Sequence, residues 1–231
     1  MKRLEIRDCA ISNLQSQQLL CYNNLISSDE AHMAATGILY VGTRDGLAIY
    51  RPAGGGRAWQ RTGHTLAGSA IATIMALDAQ TLLVAVDNQP AQQSFDGGAT
   101  WIPASSPPPP IGLQVATLQG LTSLAYPRLS GATAYARLSG KPPILIGAAA
   151  AGTMLFWSQD DGIHWAPAAM PREPIGNITS IVPATESRGA AWAGTSTGAL
   201  LRTNDRSQSW QVAAHEAAAI LSLAAVPAAG S

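Results

Sequence analysis

Aspartates in short turns are the side chains whose type and spacing come closest to a catalytic pair. Asp45 and Asp87 lie in corresponding turns, each after a short apolar segment. Glycoside hydrolysis uses two carboxyl groups about 5–10 Å apart, and these two residues are the best candidates for that chemistry. Two solvated turn residues are the simpler interpretation. We therefore predict that Arg44, Asp45, Asp87 and Asn88 belong to binding loops and that no residue of the chain is catalytic.

The spacing of histidines and cysteines predicts no metal site. The four histidines are isolated, without a pair at i and i+4 and without nearby cysteine ligands. Cys9 and Cys21 are too few for a disulfide framework and fit a reducing compartment. The glycine run at 54–56 lacks the lysine of a phosphate-binding loop. We therefore expect neither a metal nor an organic cofactor.

The charge of the chain gives no source of long-range attraction to nucleic acid. Among 231 residues, 14 Lys and Arg balance 14 Asp and Glu, and only 12% of the residues are charged. The uncharged run at 142–159 contains two prolines and two glycines, which argues against a membrane helix. The N-terminal residues lack the apolar run of a secretory signal. We expect no nucleic-acid partner, no membrane span and a cytoplasmic location.

An eight-residue phrase, Ser-x-Asp-x-Gly-x-x-Trp, occurs three times, and a fourth copy is degraded. Its glycine can adopt a positive φ, its Ser or Thr and its Asp can accept backbone N–H groups within a tight turn, and its Trp can bury a large apolar face. The phrase therefore predicts a repeated hairpin turn. Its residues are Ser94, Asp96, Gly98 and Trp101; Ser158, Asp160, Gly162 and Trp165; Thr203, Asp205 and Trp210; and, in the degraded copy, Gly56 and Trp59.

Apolar segments around each copy predict four strands per repeat. Segments 71–77, 121–126 and 178–182 have the composition of first strands, and each repeat continues with two further strands before the phrase. A four-stranded repeat is typical of a β-propeller blade.

The distances between tryptophans reveal one irregular repeat. Trp59 and Trp101 are 42 residues apart and Trp165 and Trp210 are 45 apart, as in a blade, whereas Trp101 and Trp165 are 64 apart. We place the excess in an insertion at 103–143, with a candidate extra strand pair around 132–138. The insertion also contains a run that favours polyproline II and is a candidate binding loop. That run is Pro107, Pro108, Pro109 and Pro110.

The phrase resembles the Asp-box, or BNR repeat, of sialidases, sortilin-type receptors, some glycoside hydrolases and photosystem II assembly factor propellers. The resemblance covers roughly residues 37–228. It implies a single all-β domain over 1–231, a β-propeller of four-stranded antiparallel blades. In that family the box lies between the third and fourth strands of a blade, on the face away from the usual active site, and its role is structural.

The number of blades follows from the strands outside the boxes. Segment 219–226 is predicted to begin a fifth blade, which the N-terminal segments 4–11 and 19–22 would complete. Five blades are the first choice. Four blades, or an open arc completed by a partner chain, are the alternatives. Closure of the ring matters because an open ring would expose sheet edges.

The resemblance to sialidases implies site residues that this sequence does not assemble. That family uses three arginines, a tyrosine paired with a glutamate, an acid/base aspartate and an Arg-Ile/Leu-Pro phrase, and the nearest phrase here is Tyr50-Arg51-Pro52. We therefore predict a non-catalytic scaffold or accessory subunit that binds a protein partner. The resemblance to photosystem II assembly propellers extends this to a subunit of a larger or membrane-associated complex. The alternative is a glycan-binding or glycoside-hydrolysing, sialidase-like propeller.

Overall fold

The secondary structure consists of short β-strands. The computed structural model describes residues 37–53, 58–105, 134–148 and 152–227. No helix in these ranges is long and apolar enough to span a membrane. The strands are Ile38–Thr43 (β1), Gly46–Ala53 (β2), Ala58–Thr65 (β3), Ile71–Ala76 (β4), Leu82–Val86 (β5), Gln92–Ser94 (β6), Ile102–Pro103 (β7), Ala134–Leu138 (β8), Ile144–Ala148 (β9), Leu155–Ser158 (β10), Ala166–Pro167 (β11), Ile178–Pro183 (β12), Ala191–Thr195 (β13), Ala199–Thr203 (β14), Gln211–His215 (β15) and Ile220–Val226 (β16).

The strands of the described residues form four antiparallel sheets of four strands each. Sheet I has the order β16-β1-β2-β3, and sheets II, III and IV are meanders of β4 to β7, β8 to β11 and β12 to β15. The all-β class and the four-stranded antiparallel unit are therefore confirmed. Burial follows strand position: β1 and β13 are buried at every residue, whereas β3 and β15 alternate between exposed and partly buried residues. Inner strands covered on both faces need nearly continuous apolar sequence, and outer strands do not.

The prediction of a fifth blade is wrong for the strand that was to begin it. β16 pairs with β1, with Ile38 opposite Val226 and Val41 opposite Leu223, and it completes sheet I. Because β16 is the missing first strand of the first repeat, four sheets account for all sixteen strands described. The N-terminal segments proposed to complete a fifth blade lie outside the described residues.

The first strand of sheet III differs from the predicted one. β8 comprises residues that we had assigned to an extra strand pair, and it pairs with β9 along its whole length. Its alternation explains the assignment, because Ala136 and Leu138 are buried while Arg137 is exposed. The segment 121–126, predicted for this position, and residues 106–133 of the insertion lie outside the described residues. The insertion itself stays a prediction.

Three apolar clusters occupy the contacts between neighbouring sheets. Sheets I and II share one built around Tyr40, Leu47 and Ile74, and sheets I and IV share another around Trp192 and Ile220. The third joins sheets III and IV. At the centre, β16 packs against β4 and β12, and β12 packs against β8. The sheets thus pack face to face through their first strands.

Glycine permits the closest approach of neighbouring sheets at two equivalent positions. A Cβ at Gly42 would lie 2.3 Å from Ser222 Oγ and 2.8 Å from the Ile71 carbonyl oxygen, and one at Gly194 would lie 2.4 Å from Ile220 Cγ2. Real Cβ atoms do not tolerate such distances. The two glycines therefore fix how near the first strand of the next sheet can come.

Candidate functional site

Two complete copies of the phrase and the weaker third copy form the same hydrogen-bonded turn between the third and fourth strands of sheets II, III and IV. In the first, Ser94 Oγ donates to Asp96 Oδ1 (2.8 Å) and accepts the Gly98 N–H (2.8 Å). Asp96 also accepts the backbone N–H groups of Ala99 and Thr100 and the Thr100 hydroxyl. Ser158 with Asp160, and Thr203 with Asp205, make the corresponding bonds. Each turn satisfies its backbone with its own side chains.

The third turn forms without glycine. Arg206 and Ser207 have φ values of 62° and 69°, where the first turn has Gly97 and Gly98 at 73° and 92°. Ser207 is fully buried, and its Oγ accepts the Trp210 indole N–H at 2.9 Å. That bond accounts for a serine at a position whose backbone favours glycine.

The turn acids are held in the carboxylate form. Hydrogen bonds from Thr100 and Ser94 lower the pKa of Asp96 to about 2, and those from His164 and Ser158 lower the pKa of Asp160 further. A carboxylate that already accepts several donors is a poor proton donor at neutral pH. The chemistry available to these acids is turn formation, and their assignment to structural Asp-boxes stays a prediction.

The degraded copy places Trp59 in a cleft between the outer strands of sheets I and IV. Gly56 lies outside the described residues, so the turn of this copy has no described geometry. The cleft encloses about 430 Å³, a size found for small-ligand pockets. Its lining is Ala58, Trp59, Arg202, Asn204, Asp205, Ser209, Gln211, Val212 and Ala213.

A stacked cation forms the back of this cleft. The Arg202 guanidinium carbon lies 5.7 Å from the ring centroid of Trp59 and 5.1 Å from that of Trp192. The two indoles meet edge to face, with centroids 4.9 Å apart. Arg202 Nη2 donates to Glu186 Oε1 at 3.1 Å, and both side chains are largely buried, with 14% and 4% of their surface exposed. The two charges of the pair balance each other. Burial lowers the pKa of Arg202, and the nearby Glu186 carboxylate partly offsets this by raising it.

Four buried polar atoms of this cluster have no hydrogen-bond partner. They comprise three donors, Trp59 Nε1, Trp192 Nε1 and Arg202 Nε, and one acceptor, Glu186 Oε2. Buried polar atoms in proteins are nearly always bonded, and unpaired ones gather where a structure serves something other than stability. This concentration makes the cleft a candidate site among the described residues.

The turns predicted as binding loops lie at the other end of the sheets and are tied to their own backbone. Asp45 Oδ1 accepts the Gly68 N–H at 2.9 Å, and the Arg44 N–H donates to the Ala219 carbonyl. The Asp87 N–H donates to the Ala70 carbonyl. Within the described residues, no hydrogen bond or ion pair joins Asp45 to Asp87. The structure therefore gives no support for a paired-carboxylate site there.

Asn88 and the proline run complete the predicted loops. Asn88 lies in the Asp87 turn with a φ of 57°, a conformation that asparagine tolerates better than most residues. Pro107, Pro108, Pro109 and Pro110 lie outside the described residues. That these loops bind a partner stays a prediction.

A second surface carries exposed apolar side chains at the end of sheet II where the turn from Ser94 to Trp101 lies. Leu77 is 67% exposed and Phe95 is 57% exposed, on turns joined by a hydrogen bond from the Gly97 N–H to the Gln80 carbonyl. Together with Pro227 they line a groove of about 590 Å³. We call this surface the apolar groove.

Tyr50 and Glu216 form a tyrosine–glutamate pair that the sequence did not suggest. Tyr50 Oη donates to Glu216 Oε1 at 2.6 Å, and Arg61 lies 3.2 Å from Glu216 Oε2. Burial and the hydrogen bond to Glu216 raise the pKa of Tyr50 well above its usual value. Tyr50 is only 3% exposed. A buried tyrosine whose hydroxyl donates to a glutamate cannot reach a substrate. Because Tyr50 lies in β2 and Glu216 follows β15, the hydrogen bond instead links sheet I to sheet IV.

Metal ligands do not gather anywhere in the parts of the chain that the structure describes. No group of three His, Cys, Asp or Glu side chains there could enclose an ion. His164 Nδ1 lies 2.6 Å from Asp160 Oδ2, and His64 Nε2 lies 2.7 Å from the Asp45 carbonyl oxygen. Each of the two histidines thus contacts a residue of a turn.

Comparison with known proteins gives similarity to solved structures only. No protein-family model and no curated protein matches the chain. YCF48 bound to a D1 peptide aligns with 62% of this chain and 40% of its own, at 19% identity and a TM-score of 0.28. YCF48 from Cyanidioschyzon merolae aligns over 75% and 52% (16%, 0.28), and GH74 of Niastella koreensis over 80% and 25% (14%, 0.33). The chain thus spans about half or less of each, and similarity at this level assigns no activity.

The residues at the back of the cleft were missed by sequence reasoning. Arg202 did carry a signal, because a cation at the end of the apolar run Ala199-Leu200-Leu201 needs a buried partner. Glu186 carried none, since its loop is separated from Arg202 by a complete strand and turn. Trp192 is fully buried in the apolar cluster that sheets I and IV share.

Proposed function

We propose that the four sheets are the blades of one β-propeller and that the domain is a non-catalytic module for binding a protein partner. The cyclic pairing of β16 with β1 and the packing of successive first strands support the propeller. The insertion at 103–143 and an accessory role in a larger assembly belong to the same proposal. The observation that carries the proposed function is the apolar groove.

The apolar groove has the features of a protein-docking surface. Its two large apolar side chains are more than half exposed and lie next to a concave surface. Exposed apolar patches of this kind mark sites of contact with other proteins. The one acid of the groove, Asp78, accepts the N–H groups of Gln80 and Thr81 at 2.7 Å each. Asp78 adds one exposed negative charge beside the two apolar side chains, so the groove combines apolar contact with a carboxylate at its rim.

A non-catalytic role agrees with the environment of the turn acids, of Asp45 and of Glu216, while Asp87, whose carboxylate makes no hydrogen bond to another described residue, is not joined to Asp45 as a second carboxylate. The carboxylates of the boxes accept turn donors, Asp45 binds the Gly68 N–H, and Glu216 is buried against Tyr50. None of these carboxylates is free to exchange a proton with a bound substrate. This supports binding without hydrolysis.

The test compares partner capture by the full chain and by variants of the groove. Leu77→Ser with Phe95→Ser removes the apolar contact, and Met154→Ser is a matched control, because Met154 is 42% exposed and lies outside the groove. Each lost anchor is worth about 1.5–3 kcal/mol, or at least tenfold in affinity. We expect a partner to be retained by the wild type and the control, and lost by the double variant, in quantitative affinity purification from the source organism. Equal recovery by all three proteins, or no specific partner for the wild type, contradicts the proposal.

A second candidate function, glycan binding without hydrolysis, is favoured by the cleft between sheets I and IV. An aromatic side chain with several polar groups around it is the composition of a site for small polar ligands. Binding there is independent of the apolar groove, because the two surfaces share no lining residue.

A further inference from the structure

Two exposed carboxamides of the cleft are available to a ligand. Asn204 and Gln211 both line the cleft, and neither side chain makes a hydrogen bond with another described residue. The cleft therefore offers two carboxamides, each able to donate and accept.

Among the described residues that line the cleft, the one cation is paired and the one carboxylate is held by turn donors. Arg202 is bonded to Glu186 at 3.1 Å. Asp205 accepts the Thr203 hydroxyl at 2.8 Å and the N–H and hydroxyl of Ser209 at 3.0 and 2.5 Å. An anionic ligand would lose its hydration without gaining a free cation, since Arg202 is paired with Glu186 and Asp205 keeps its negative charge. The described lining of the cleft therefore disfavours anions.

We propose that the cleft binds an uncharged saccharide unit, an inference that rests on the second candidate function above. The hydroxyl groups of such a ring donate and accept like the carboxamides of Asn204 and Gln211. Its C–H groups pack against the indole of Trp59, whose π face is electron-rich. An apolar peptide fits less well, because five of the nine lining residues are polar or charged.

The inference is tested by titrating the full-length chain with defined oligosaccharides. The probes are maltotetraose, cellotetraose, xylotetraose, mannotetraose and tetra-N-acetylchitotetraose, with sialyllactose and tetragalacturonate as anionic comparators. Calorimetry and indole fluorescence up to about 10 mM detect even weak binding. We expect at least one neutral probe to bind and neither anion to bind as tightly.

Matched variants connect that binding to the cleft. Asn204→Ala with Gln211→Ala should weaken it by about tenfold or more, since each carboxamide contributes about 1 kcal/mol through its hydrogen bonds. Gln208→Ala is the control, because Gln208 lies in the same turn and does not line the cleft. An effect of the control equal to that of the double variant, or binding that the double variant does not change, overturns the assignment to this cleft.

The remaining outcomes separate this inference from the proposals beneath it. Tighter binding of the anionic probes, sensitive to the double variant, overturns the neutral ligand and leaves glycan binding standing. No binding of any probe overturns both. Partner capture through the apolar groove is measured independently, so neither result bears on the protein-binding proposal.

Discussion

The carboxylate of Asp96 replaces backbone hydrogen bonds that its turn cannot make. It accepts two N–H groups and two hydroxyls at distances between 2.6 and 3.0 Å. All of these bonds stabilise the ionised acid, which is why the pKa of Asp96 is about 2. In the unfolded chain an aspartate has a pKa of about 3.9. Ionisation of this residue is therefore linked to folding.

We expect the contribution of Asp96 to stability to disappear in acid. Because the folded state has the lower pKa, that contribution is complete above about pH 4 and is lost as the pH falls toward 2. Urea unfolding of the wild type and of Asp96→Asn at several pH values measures it. The difference between the two free energies of unfolding should shrink as the pH falls below about 4. A difference that stays constant from neutral pH to the acid limit of folding contradicts this account.

Asp87→Asn is the control for this measurement. The Asp87 carboxylate makes no hydrogen bond to another described residue. Its substitution should therefore leave the pH profile of the wild type unchanged.

Residue types allowed prediction of the turns but not of the cleft. Ser, Asp, Gly and Trp at fixed offsets specify a local structure, because the bonds that the Ser and Asp side chains accept join residues within four positions. The Arg202 cluster depends on Trp59, which is more than a hundred positions away in the chain, and on a glutamate from another loop. No local pattern contains that information. Tyr50 and Glu216 were missed for the same reason.

Among the structural elements, β13 shows how closely two sheets can approach. Gly194 faces Ile220 of β16, and a Cβ there would lie 2.4 Å from Ile220 Cγ2 and 2.8 Å from Ser180 Oγ. Gly42 has the equivalent position in β1. Strand glycines are normally unfavourable, so their presence at both positions reflects the spacing of the sheets.

We expect Gly194→Ala to destabilise the fold by about 1–3 kcal/mol, because the added methyl group forces Ile220 or the whole strand to move. Chemical denaturation measures the change. Gly63→Ala is the matched control, since a Cβ there meets only the flexible Ile49 Cδ1 at 3.3 Å, and its effect should stay below about 1 kcal/mol. Equal effects of the two substitutions would show that close approach is not the cause.

The first strand of sheet III was predicted in the wrong segment. A run of uncharged residues was preferred to a segment in which buried and exposed residues alternate. The segment 121–126 is more apolar than β8 and was preferred as a first strand. In β8, Ala136 and Leu138 face the core while Arg137 faces outward, which is sufficient for a strand covered on one face. Pairing with β9, and not composition, identifies it as the first strand of the sheet.

For the molecule as a whole, β16 is the strand on which sheet I depends. It is the only partner of β1 on that side among the described residues, and its side chains enter two apolar clusters. Sequence reasoning recognised it as a first strand. It assigned the strand to a new blade because repeats in a linear sequence do not show that the last repeat can complete the first.

We expect removal of residues 220–231 to abolish cooperative unfolding. Without β16 the apolar edge of β1 is exposed, and β4 and β12 lose a neighbour at the centre. Circular dichroism melting and hydrogen exchange of the β1 amides measure the effect. Deletion of 228–231 alone is the control and should melt like the intact chain. Cooperative melting of the longer deletion at the same temperature contradicts the closing role of β16.

The pairing of β16 with β1 also determines when the protein can fold during its synthesis. β1 is translated well before its partner, because the two strands are separated by most of the described residues. During that interval an apolar strand has one unpaired edge, so the nascent chain needs either a chaperone or rapid translation to avoid association with its neighbours. Premature termination just before β16 would therefore yield a polypeptide that carries the other fifteen described strands but cannot complete sheet I.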